Sequence, residues 1–153
     1  MKVKTMVLLL VACFAGATMF AADLQLGTWK LNEAKSKLSP AAAKNTGVTY
    51  ETAGDNVKVT VEGTTADGKP FKSVWTGKYD GKDYPVTGDP ASDTRSYTKV
   101  DDRTLTFSGK KDGKVAVSGK IVVAADGKSR TVTSSATDAK GQKVSQTSVY
   151  DKQ

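Results

Sequence analysis

The 153-residue chain has no histidine and a single cysteine, Cys13. One cysteine cannot close a disulfide within its own chain, so no disulfide framework is available. Without histidine, Ser-His-Asp and Cys-His nucleophile systems and histidine-based metal sites are excluded. The sequence also lacks an Asp-x-Asp-x-Asp loop for calcium and a glycine-rich loop leading into a helix for phosphate. Its neighbouring carboxylates, Asp101-Asp102 and Glu51 with Asp55, fall at corners or outward strand positions and read as solvated charge. An enzymatic activity is therefore left unsupported, and no cofactor or metal is expected.

Proline is scarce, with 4 residues against 14 glycines, and six of the glycines follow Asp or Ala in turn-like contexts. That balance points to short strands and tight corners. The formal charge is +7, yet Lys69, Lys82, Lys114 and Lys128 sit at turn tips beside aspartates and form no stripe. A nucleic-acid footprint is a clustered basic face. Lysines at hairpin corners instead keep sheet edges soluble, so no nucleic-acid partner is expected.

Only one long apolar run exists, Met6 to Phe20, preceded by Lys2 and Lys4 and followed by Ala21, Ala22 and the polar Asp23. A charged start, an apolar middle and a small-residue end are the parts of a secretory signal peptide. The run is short for a membrane-spanning helix, which needs ~20 apolar residues. Residues 1–22 thus read as a cleaved signal and residues 23–153 as one secreted or periplasmic domain. An alternative is a lipid anchor at Cys13, because Leu10-Val11-Ala12-Cys13 resembles a lipobox. Neither reading leaves a membrane span.

The most regular feature is a repeated corner. Asp67-Gly68-Lys69, Asp80-Gly81-Lys82, Asp112-Gly113-Lys114 and Asp126-Gly127-Lys128 share one tripeptide, with Lys140-Gly141-Gln142 as a variant. Asp-Gly supplies the positive φ of a two-residue hairpin turn, so each predicts a β-corner. Between corners the period is two, as in Val57, Val59 and Val61 against Lys58, Thr60 and Glu62. Strands are predicted at 24–31, 46–53, 56–64, 70–79, 82–87, 93–100, 103–110, 114–124, 129–138 and 142–151. Asn32 is placed to cap one helical turn over Glu33 to Lys37. Sequential hairpins of this number leave two open edges unless the sheet closes. The expected fold is all-β, an antiparallel up-and-down meander closed into a single barrel of about 8–10 strands.

Leu26-Gly27-Thr28-Trp29-Lys30-Leu31 contains the Gly-x-Trp pattern of the calycins, the lipocalin and fatty-acid-binding-protein superfamily. Gly-Thr-Trp-Lys-Leu is similar to the opening strand of the intracellular fatty-acid-binding proteins, and Thr147 to Lys152 resembles their last strand. The chain also resembles small secreted lipocalin-like proteins of environmental bacteria. The resemblance implies a calycin-like barrel in which Trp29 packs across the closed end and Gly27 permits the close approach. Those proteins hold a carboxylate with an Arg-x-Tyr pair on the final strand; here the arginine position is Ser148, leaving Tyr150. Their helix-turn-helix portal is longer than the stretch from Glu33 to Lys44. The fold is carried over and the ligand is not.

The inner rows implied by the alternation mix large apolar groups with Ser73, Ser134, Gln146 and Ser148, which suits a small hydrophobic or amphipathic ligand. Candidate lining groups are Val59, Phe71, Trp75, Tyr97, Phe107, Val117 and Tyr150, with Arg95 as a polar anchor. An inward arginine needs an anionic partner. The alternative has Arg95 outward, with Thr94, Ser96 and Thr98 inward. Independently, Trp75 and Tyr79 also read as core or rim. A monomeric binding module is set against a solidly packed structural or interaction protein.

Overall fold

Each of the ten alternating stretches is a β-strand. The computed structural model describes residues 23–138 and 140–153. The expected signal segment, with Cys13, lies outside them. The strands are β1 (Gly27–Lys37), β2 (Lys44–Ala53), β3 (Asn56–Thr64), β4 (Pro70–Gly77), β5 (Tyr84–Thr87), β6 (Thr94–Lys99), β7 (Thr104–Lys111), β8 (Lys114–Val123), β9 (Ser129–Thr137) and β10 (Lys143–Lys152). Each pairs antiparallel with the next, and β1 pairs with β10, so the sheet closes into one barrel. No helix occurs among the described residues.

The corners are of more than one kind. Asp112-Gly113 is the expected two-residue turn, with φ of 49° and 74° and Lys111 paired to Lys114. Asp67-Gly68 instead ends a three-residue loop closed by Thr65 and Lys69, with the Gly68 N–H donating to the Thr65 carbonyl. Asp80-Gly81 is not a hairpin corner. It lies in the β4–β5 connection, where the Gly81 N–H donates to the Tyr97 carbonyl and Asp80 bridges Thr98. The same dipeptide serves all three because each requires only a residue that accepts positive φ.

The helical turn expected after Asn32 does not form. β1 continues to Lys37, and its register against β10 slips between Asn32, opposite Val149, and Lys37, opposite Thr147. Asn32 does cap, since its Oδ1 accepts the Lys35 N–H. The capped feature is a bulge, held by Ser36 Oγ, which donates to the Asn32 carbonyl and accepts the Val149 N–H. A second slip, between Gly109 and Lys110, sets Val117 opposite Gly109 but Val115 opposite Lys110. One extra residue on β8 turns Val115 out of the inner row, and it is 57% exposed.

The core fills one end. Trp29, Tyr50, Leu105, Val123 and Tyr150 are buried there, and the Trp29 Nε1–H donates to the Gln25 carbonyl at 2.8 Å. The far wall is aromatic, with Trp75 edge-on to Tyr97 at 4.8 Å and to Tyr84 at 5.8 Å.

Gly88, after β5, has φ of 72°, and a Cβ there would overlap the Lys72 carbonyl oxygen. Gly88→Ala combines a left-handed backbone with a backbone clash and is expected to cost about 3 kcal/mol. A lowered urea midpoint with an unchanged m-value is the reading that checks it.

Candidate functional site: a cavity with two inward arginines

Side-chain size falls along the inner row of β9 and drops after Tyr150 on β10. On β9 the inner residues run Arg130, Val132, Ser134, Ala136 away from the closed end, and on β10 they run Tyr150, Ser148, Gln146, Val144. Bulk near Trp29 and small groups beyond it leave a cavity of about 200 Å³. Its rim is formed by Ala41–Ala43 between β1 and β2, Asp89–Ala91 between β5 and β6, and Thr137 and Asp138 at the end of β9.

Arg95, Tyr97, Phe71, Phe107, Val117 and Tyr150 all line this cavity. Trp75 does not. It is 1% exposed and stands behind Tyr97, with its Nε1–H donating to the Arg95 carbonyl at 2.8 Å. Val59 is likewise packed away from the space. Of the two orientations open for β6, the outward arginine is excluded: Tyr97 is buried and Arg95 faces in.

The anionic partner that an inward arginine requires is supplied by the chain. Arg95 Nη2 donates to Asp89 Oδ2 from the β5–β6 loop, and both side chains are largely buried. Asp89 also accepts from the Ser92 hydroxyl at 2.7 Å and from the Ala91 N–H at 2.8 Å. One carboxylate thus ties the loop to the barrel interior.

Arg130 was not among the residues expected from sequence. It is 2% exposed and lines the cavity at the Trp29 end. Its guanidinium carbon lies 4.8 Å from the Trp29 ring centre, 4.9 Å from that of Tyr50 and 5.1 Å from that of Tyr150. Nη1 donates to Gln25 Oε1 at 3.3 Å, while Nε has no acceptor. No carboxylate of the described residues forms an ion pair with it. Burial raises the pKa of the Tyr50 and Tyr150 hydroxyls, outweighing the pull of Arg130, so both phenols stay neutral. The Tyr150 hydroxyl donates instead to the Asn45 carbonyl at 3.0 Å.

One signal could have found Arg130: it precedes Val132, Ser134 and Ala136 by one step of the same two-residue period. Asp89 lies in a loop, where no period operates. The two carboxylates at the cavity edge are both engaged, Asp89 by Arg95 and Asp138 by the backbone N–H groups of Lys140 and Gln142.

No protein-family model matches the chain, and no curated protein matches it in sequence. Among solved structures it is similar to a redesigned β-barrel, mFAP1, bound to DFHBI, at 18% identity over 84% of this chain and 95% of that one, with a TM-score of 0.44. It is also similar to EF1p2_mFAP2b bound to DFHBI, at 14% identity over 87% and 97%, with a TM-score of 0.48. A redesigned β-barrel named b11L5F_LGL matches at 14% identity over 85% and 92%, with a TM-score of 0.44.

Proposed function

We propose that this chain is an exported, monomeric binding protein of the lipocalin-like type that holds one small hydrophobic or amphipathic molecule inside its barrel. The observation that carries this reading is the cavity of about 200 Å³ bounded by Phe71, Phe107, Val117 and Val132, with a few polar groups among them. Mostly apolar walls with sparse polar groups are the usual makeup of a ligand site. A barrel serving only as a solid scaffold would have filled this space, since interiors close-pack and voids are destabilising. Drug-sized ligands occupy pockets of about 300–1,000 Å³, so a space of about 200 Å³ suits a smaller molecule. Export is inferred from residues 1–22, whose charged start and apolar run fit a signal peptide.

Native mass spectrometry of the purified protein tests the reading. The expected spectrum shows a small molecule bound at one per chain. Ser134→Phe, which places a ring in the middle of the cavity wall, is expected to keep the far-ultraviolet circular dichroism of the wild type and to lose the bound species. A wild-type protein that neither carries nor takes up any small molecule sinks the reading.

A further inference from the structure

Four stretches of this chain are the same tripeptide, Asp-Gly-Lys, at residues 67–69, 80–82, 112–114 and 126–128. An Asp-Gly pair is open to attack of the glycine nitrogen on the aspartate Cγ, because glycine has no side chain to block the approach. With the tripeptide held constant, the folded structure selects which of the four can react.

Three of them are held at both reacting groups. The Asp67 carboxylate accepts from the Thr65 hydroxyl and pairs with Lys69, and the Gly68 N–H donates to the Thr65 carbonyl. Asp80 accepts from the Lys82 N–H at 3.0 Å and the Tyr84 hydroxyl at 2.9 Å, and the Gly81 N–H donates to the Tyr97 carbonyl. Asp126 accepts from the Lys128 N–H at 3.0 Å, and the Gly127 N–H donates to the Ala124 carbonyl at 2.9 Å. The Thr65 hydroxyl and the Lys82 N–H hold Asp67 and Asp80, respectively, below the usual carboxylate range. A carboxylate kept ionised is a poor target for a nitrogen nucleophile. Asp112 differs at both groups. Among the described residues nothing bonds or pairs with its carboxylate, and the Gly113 N–H has no acceptor. Both residues are exposed. Asp112 also has φ of 49°, a left-handed backbone that disfavours an L residue.

We infer that Asp112 is a modification site, at which aspartate isomerises spontaneously to isoaspartate through a cyclic imide with Gly113. The Gly113 nitrogen bonds to Cγ of the protonated Asp112 carboxyl. The Cγ–OH bond breaks, and the hydroxyl leaves with the N–H proton as water. Water then adds to one of the two imide carbonyls. Opening at Cγ restores aspartate. Opening at the original backbone carbonyl breaks its bond to Gly113, so the chain runs through Cγ and a free carboxylate remains on Cα. The product has the composition of the starting chain, and no oxidant or other reactant is consumed. A methylene is thereby added to the backbone of a two-residue turn whose ends are the paired Lys111 and Lys114. The same turn is tied to the β5–β6 loop, since the Asp112 N–H donates to Asp93 Oδ2 at 3.0 Å. The change therefore reaches the loop that carries Asp89.

Peptide mapping of the folded protein, kept for weeks at about pH 5 where aspartates retain a protonated fraction, tests the site. Asp-N endoproteinase cuts before aspartate and not before isoaspartate, so each of the four sites is read separately. Isoaspartate is expected to form at Asp112 at least about tenfold faster than at Asp67, Asp80 or Asp126, the ratio given by a barrier difference of about 1.4 kcal/mol. In concentrated urea the four rates are expected to converge, because the contacts that separate them are lost. Equal rates in the folded protein, no product at Asp112, or a faster site among the other three overturns the inference. A lead of Asp112 that persists undiminished in urea also overturns it, by assigning the reaction to the neighbouring Lys111 and not to the fold.

Discussion

Trp29→Ala is expected to lower the unfolding free energy by about 3–5 kcal/mol, the range for truncating a fully buried tryptophan. Three losses combine. The indole is 0% exposed, so its removal opens a void at the closed end of the barrel. The Gln25 carbonyl loses the N–H donor that fixes the chain entering β1. Arg130 and Lys152, which lie 4.8 Å and 5.0 Å from the ring centre, lose the π-face shared between them. For a domain whose whole stability is ordinarily ~5–15 kcal/mol, that is a third or more. Trp29→Phe keeps a ring but not the N–H and is expected to cost only about 1–3 kcal/mol, the penalty of one unsatisfied buried carbonyl. Urea titrations of both variants give the comparison. A cost under about 1 kcal/mol for the alanine variant would mean that the barrel end is closed by something other than this ring.

The strands were legible because their signals are local. A period of two and an Asp-Gly corner are each written within a few residues, and ten such stretches leave few topologies open. The errors have physical causes. An asparagine followed by Glu-Ala-Lys-Ser carries the same capping chemistry whether the next turn is a helix or a bulge, and only pairing with β10 decides between them. Alternation alone puts Val115 in the inner row with Val117, because it assumes unbroken register, which the slip at Gly109 removes. On β6 only Tyr97 breaks a run of polar residues, so its orientation hung on one side chain. The cavity itself has no local signature. It depends on Ser134, Ala136 and Ser148 being small on two adjacent strands, a sum taken across the sheet. Trp75 shows the limit from the other side: its parity points it inward, yet Tyr97 stands between it and the space. Asp89 was out of reach of any periodic argument, because loop residues are placed by tertiary contacts.

Asp89→Ala is the second large effect, at about 3–5 kcal/mol, because removing one partner of a buried pair leaves the other charge uncompensated. Among the described residues Arg95 forms no ion pair other than that with Asp89. Its Nε already lacks an acceptor, and Nη2 would join it. The β5–β6 loop loses its anchor as well, since Ser92 and the Ala91 N–H bond to the same carboxylate. The cost belongs to the orphaned charge rather than to the lost contact, and the two are separable. Arg95→Met combined with Asp89→Ala removes both charges and puts an adaptable apolar chain beside Tyr97 and Phe107. Replacing a whole buried pair by packed apolar groups is often neutral or better, so the double variant is expected to recover most of the loss. A double-mutant cycle in urea then returns a coupling of at least about 2 kcal/mol. Additive costs would show that Asp89 acts through its loop and not through Arg95.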